Sequence, residues 1–162
     1  MSGCGPFFRD GWRDKDYIRG MSTTLDSIFD DFAFLDDWEE RYRYIIELGN
    51  ALPPYPETAR DEAHRVRGCV SQVWLHTQHG EGSDPVLQFK GDSDAHIVRG
   101  LVAIMLLVFS GKKASAILEI DAESVLRRLG LDEHLTPQRA NGLRAMVKRI
   151  QDEAKSVTAT AG

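Results

Sequence analysis

Residues 73–111 read "VWLHTQHGEGSDPVLQFKGDSDAHIVRGLVAIMLLVFSG" and contain the change of period on which the fold turns. Val73, Leu75 and Thr77 alternate with Trp74, His76 and Gln78, the two-residue period of a strand with one buried face. The polar stretch "HGEGSDP" then breaks the alternation before it resumes at Val86–Lys90, which predicts an antiparallel hairpin. From "GDSDAHIVRGLVAIMLLVFSG" onward the pattern is helical. Ser93 or Asp94 is the expected cap, acidic at the positive end of the dipole, and Gly111 the expected stop. Apolar residues nearly encircle the second half of this segment, so it should be the central helix.

Upstream, "STTLDSIFDDFAFLDDWEERYRYIIELGNALPP" predicts two consecutive helices. Thr24 or Ser22 can cap the first, whose inward stripe is Leu25, Ile28, Phe29 and Phe32. Asp36 and Asp37 restart the chain, Glu39 and Glu40 suit a capping box, and Gly49-Asn50 with Pro53-Pro54 close the second helix. Trp38, Tyr42, Ile45, Ile46 and Leu48 form its stripe. A short strand around Arg65–Arg67 would give the sheet a third member. Downstream, "ASAILEI" and "DAESVLRRLG" predict two short helices and "TPQRANGLRAMVKRIQDEA" a long final one. The expected class is α+β: a small antiparallel sheet of about three strands, covered by helices on one side. Residues 1–20 lack periodicity and are expected to be a disordered extension; a single domain is expected over 21–155, with a flexible tail at 156–162.

The chain of 162 residues is 42% hydrophobic and 28% charged, which suits one globular domain. A net charge of −5 with acidic and basic residues interleaved gives no footprint for nucleic acid or anionic lipid. The longest apolar run, Leu101–Phe109, is far short of the ~20 residues of a membrane span. The first twenty residues carry scattered charges and no apolar core, unlike a secretory signal. Of two cysteines, Cys4 lies in the extension, leaving Cys69 as one thiol in the folded part. One thiol makes no internal disulfide, and a reducing cytoplasm is the expected compartment.

Cys69 follows Gly68, where the chain can bend, and lies beside polar Ser71 and Gln72 rather than in an apolar stripe. Arg65 and Arg67 are near in sequence, and a neighbouring cation favours the nucleophilic thiolate. A small buried hydrophobe, a metal ligand and a nucleophile paired with His64 are the competing readings. Metal binding lacks paired cysteine spacing: His64, His76, His79, His96 and His134 form no recognised ligand motif. Arg139 stands in the first turn of a helix capped by Thr136 with Pro137 behind it, where the dipole disfavours a cation. It is either a solvated arginine or a guanidinium held for an anionic group. Asp94 is explained as a cap, whereas Asp92 has less local justification and could face a partner.

The stretches "WEERYRYIIELGNALP", "RVRGCVSQVWL", "GDSDAHIVRGLVAIM" and "LDEHLTPQRANGLRAMVKRI" together resemble the SufE family, in the family's order, across nearly all of 21–154. Val70 departs from the polar residue expected after the cysteine. The resemblance implies a sulfur acceptor and activator for a SufS-type cysteine desulfurase, with the scaffold-protein type of fold. Cys69 would be the persulfide carrier, with Gly68, Ser71, Gln72, Asp92 and Arg139 as supporting or partner-facing residues; His134 matches a motif position without an implied role. Sulfur would pass to a SufBCD-type iron–sulfur scaffold. No cofactor is expected on this chain, pyridoxal phosphate belonging to the desulfurase, and no stand-alone turnover is expected. A homodimer is compatible with the sequence. A cluster-binding scaffold of the same fold is the alternative. The resemblance also implies that the cysteine loop is sheltered at rest and extends when the desulfurase docks.

Overall fold

A computed structural model describes residues 24–69 and 71–161, with side chains to Thr158. The expected extension with Cys4, the alternative cap Ser22 and Val70 lie outside these residues. Helix α1 spans Leu25–Phe34 and opens on a capping box: Ser27 N–H donates to Thr24 Oγ1 at 3.1 Å, and Thr24 N–H donates to Ser27 Oγ at 3.0 Å. Helix α2, Trp38–Asn50, starts on Asp37, whose Oδ1 accepts from Glu39 N–H at 3.0 Å. Arg41 stitches the corner between them by donating to the carbonyls of Leu35 and Phe32 at 2.7 and 2.9 Å.

Strand β1 (Val73–His79) pairs antiparallel with β2 (Val86–Ser93), with Val73 opposite Ser93 and His79 opposite Leu87. The third strand, β3, is Lys112–Lys113, which adds to the far edge of β2 opposite Leu87 and Val86. The expected strand at Arg65–Arg67 is reduced to a bridge. Arg65 faces Trp74 across the free edge of β1, Val66 N–H donates to Val73 O and Leu75 N–H to His64 O, each at 2.8 Å. The ladder stops there because Gly68, at φ +94°, turns the chain away from β1. The segments that end at Val66 and begin at Val73 thus form a small hairpin.

Helix α3, His96–Phe109, follows β2 and is the core: residues 100–106 are all buried. Neither expected side chain caps it as a conventional N-cap. Ser93 belongs to β2 and its Oγ accepts from Ala95 N–H at 3.3 Å, while Asp94 reaches back to accept from Gln72 N–H at 3.1 Å. Three short helices follow where two were expected: α4 (Ala114–Glu119), α5 (Ala122–Arg128) and α6 (Leu131–His134). Helix α7 then runs from Pro137 to Ala161, so residues 156–161, expected as a tail, are helical.

Helix α3 is held on two sides by missing side chains. A Cβ at Gly100 would lie 2.0 Å from Ile45 O of α2, and a Cβ at Gly91 of β2 would lie 2.7 Å from Val102 Cγ1. The two helices therefore approach to backbone contact and the bare backbone of β2 meets the Val102 side chain, which lets Ile45, Leu75, Leu87, Phe89 and Ile104 bury completely. Each such burial contributes about 1.5–3 kcal/mol. Gly100→Ala gains ~1 kcal/mol of helix propensity but must push α2 aside. It is expected to lower stability by about 2–3 kcal/mol net in urea unfolding; an unchanged midpoint would contradict this packing.

Candidate functional site

The short hairpin at residues 64–75 carries Cys69 in its closing loop and lays that loop along one face of α7. A Cβ at Gly142 would sit 3.3 Å from Cys69 Sγ, and a Cβ at Gly68 would sit 3.1 Å from Ala145 Cβ. Arg149, further along α7, donates to the carbonyls of Arg65 and Ala63 at 3.0 and 2.9 Å. Positions 142, 145 and 149 share a helix face. The thiol of Cys69 donates to Gly142 O at 3.5 Å.

Beneath the thiol is a cavity of about 220 Å³ between the loop, α3 and α7. Its walls are apolar: Val98, Leu101 and Val102 from α3, Leu143 and Met146 from α7. Ser71, Thr136, Gln138 and Arg139 supply the polar lining. The structure thus brings Cys69, Ser71 and Arg139 to one cavity, with Gly68 shaping the bend beside it. Arg139 is exposed, its N–H donates to Thr136 Oγ1 at 3.2 Å, and its guanidinium has no hydrogen bond or ion pair among the described residues.

Two influences compete on the thiol. Burial raises its pKa, and the Arg65 guanidinium lowers it; burial is the larger, so the net direction is upward. The expected help from Arg67 is spent elsewhere, since its exposed guanidinium pairs with Glu62 at 3.2 Å. Cys69 at rest is a protonated thiol in an apolar seat.

Other sequence candidates lie apart from the cavity. Asp92 stands opposite Trp74 in the sheet; its carboxylate meets Arg60 at 2.6 Å and Arg99 at 3.1 Å, with its side chain 15% exposed. Arg60 in turn sits over the rings of Tyr55 and Trp74. Gln72 and Asp94 clasp each other through Gln72 N–H to Asp94 Oδ1 and Asp94 N–H to Gln72 O, fixing the end of the cysteine loop to the start of α3. His64 is hydrogen-bonded to Asp61 at 2.6 Å and does not line the cavity, nor does any other described histidine. His134 stacks on Trp38 at 3.8 Å while its carbonyl accepts from Tyr42 Oη, which anchors the entrance to α7. No group of three or more His, Cys, Asp and Glu able to hold a metal occurs among the described residues. No described helix is long and apolar enough to cross a membrane.

Gly142 and Arg149 were not singled out from sequence. Gly142 had a signal, because a glycine inside a helix costs ~1 kcal/mol and asks for a close neighbour. Arg149 had none, since arginine is an ordinary residue on a helix surface.

The family model named SufE, described as an Fe-S metabolism associated domain, matches residues 26–154. The chain is 60% identical over 134 residues to an uncharacterized SufE-like protein of Rhizobium meliloti (strain 1021), covering 82% of this chain and 96% of that one. A SufE-like protein of Rhizobium etli is 59% identical over 138 residues, covering 85% and 93%. The solution structure of a hypothetical protein from Thermus thermophilus superposes with a TM-score of 0.66 at 24% identity, over 83% of this chain and 96% of that chain, a likeness of fold.

Because burial outweighs Arg65, alkylation of Cys69 by iodoacetamide in the free protein should rise with pH through a midpoint above the ordinary cysteine range. A midpoint below that range, followed by peptide mapping, would contradict the resting thiol.

Proposed function

The chain belongs to the SufE family, and from that premise we propose that it is a sulfur acceptor for a cysteine desulfurase, with Cys69 as the persulfide carrier. The observation that carries this reading is the one thiol among the described residues, seated over an apolar cavity beside an arginine whose guanidinium is unpaired among those residues. In the proposed step Cys69, as thiolate, attacks the outer sulfur of the desulfurase's cysteine persulfide. The new bond joins Cys69 Sγ to that sulfur, the old sulfur–sulfur bond breaks, and the desulfurase cysteine leaves as thiolate, with no net oxidation.

A resting thiol with a raised pKa is a poor nucleophile, so the reaction calls for the loop to leave its seat when the desulfurase docks. Outside the cavity, Cys69 no longer suffers the burial that holds its proton. Arg139, exposed and unpaired among the described residues, is suited to meet an anionic group at that interface. After transfer the loop returns, and the apolar walls shelter the outer sulfur from stray thiols and oxidants. Sulfur then passes to an iron–sulfur scaffold in a reducing cytoplasm, where Cys69 stays a free thiol. Pyridoxal phosphate works on the desulfurase. Gln72 holds the loop's end, Ser71 lines the cavity, and Asp92 braces the sheet beside it.

Direct cluster binding is the less supported alternative, because it calls for several soft ligands around one point. Cys69 has no metal-holding group about it among the described residues.

Intact mass spectrometry after incubation with a cysteine desulfurase and L-cysteine, without reductant, tests the proposal. A gain of one sulfur atom that maps to Cys69, requires the desulfurase and vanishes in Cys69→Ser is expected. Cys69 left unmodified beside an active desulfurase of the same source would overturn it. Arg139→Ala is expected to slow loading about tenfold or more while leaving the fold intact.

A further inference from the structure

The segment that leads into the cysteine loop is an edge strand one bridge long, and among the described residues one side chain hydrogen-bonds its outward carbonyls. His64 and Val66 bond inward to β1. In an antiparallel pair the residue between them, Arg65, points its carbonyl the other way, and the carbonyl of Ala63, in the turn just before, is reached from the same side. Both are taken by Arg149: Nη1 donates to Arg65 O at 3.0 Å and Nη2 to Ala63 O at 2.9 Å. Its Nε donates to Glu153 Oε2 at 2.7 Å, one helical turn further along α7. All three nitrogens of the guanidinium are therefore engaged, two on the loop's stem and one on the carboxylate that aims it. The pair is only partly exposed, at 28% for Arg149 and 26% for Glu153, so water screens it incompletely.

We infer that Arg149 is the latch of the Cys69 loop, a positioning residue whose guanidinium, aimed by Glu153, sets how often the thiol leaves its seat on α7. Apart from this fork, the loop's direct polar tie to α7 among the described residues is the long contact of Cys69 Sγ with Gly142 O, at 3.5 Å. A sulfur donor is weak, whereas a charged donor to a carbonyl is among the stronger bonds. Gly68 and Gly142 add close apposition without a polar hold. Release of both carbonyls by Arg149 frees the stem from α7, and the strength of that hold thus contributes to the small open population on which any partner or reagent draws. A planar fork spans two carbonyls on one edge; a lysine ammonium in its place reaches one at a time. The meaning for sulfur transfer rests on the proposed carrier role, while the latch itself does not.

The test uses the full chain with no desulfurase. Alkylation of Cys69 by iodoacetamide is timed by peptide mapping, with amide hydrogen exchange followed over residues 63–69 and over α3, in Arg149→Gln, Arg149→Lys and Glu153→Gln. Expected is a rise of about tenfold in alkylation rate for Arg149→Gln, with smaller rises for the other two. Exchange protection should fall at 63–69 and hold across α3. An unchanged rate in Arg149→Gln overturns the latch, and so does a rise matched by equal loss of protection in α3, which marks general destabilisation. A failed latch leaves sulfur loading of Cys69 intact, and failed loading leaves these rates unaltered, so the two outcomes are told apart.

Discussion

Backbone contact between α2 and α3, made at Gly100 against Ile45, is the constraint from which the remaining geometry follows. It presses α3 against α2, and Gly91 lets the opposite side of α3 close onto β2. With both flanks fixed, α3 presents Val98 and Leu101, with Val102 at the border with β2, to the cavity under the cysteine loop and α7. The floor of the cavity is thus a by-product of how the core is packed. A displacement of α3 would be felt at Cys69 without any change in the loop itself, because close-packed interiors transmit strain.

The upper wall is α7, and its role is that of a rail. At positions 142, 145 and 149 it offers in turn a carbonyl, a small side chain and a guanidinium to the chain running from Ala63 to Cys69. Two different forces act there. Apolar enclosure keeps the thiol protonated, and polar ties keep the loop down. For a proposed sulfur carrier the division is useful. The enclosure protects what is carried, and the ties govern when it can be reached. His134 and Tyr42 matter to this arrangement at a distance, because they secure the entry to α7 on α2.

Much of the fold was legible because the relevant signals are local. The alternation at Val73–Thr77, the polar turn at 79–85, the cap at Thr24 and the apolar stretch from Leu101 onward each correspond to an element of the structure. Misreadings came where a residue serves a partner remote in sequence. Asp94 resembles a helix cap and instead accepts the Gln72 amide, and Lys112–Lys113 carries no strand signal yet completes the sheet because Leu87 lies beside it. At the site, Cys69 stood out by its polar neighbours and the glycine before it. The cavity walls could not be read, since Val98 and Met146 look like any core residues until α3 and α7 are brought together. Arg149 was hidden for the same reason: its partners are main-chain carbonyls more than eighty positions away.

Folding is what shelters the sulfur that Cys69 is proposed to carry. The most direct measure of that shelter is the lifetime of the Cys69 persulfide against an added thiol, compared between the folded chain and a peptide of residues 60–76 carrying the same modification. Burial of the sulfur predicts loss at least about tenfold slower from the folded chain. Equal lifetimes would mean that the cavity beneath Cys69 gives no protection and would contradict the account.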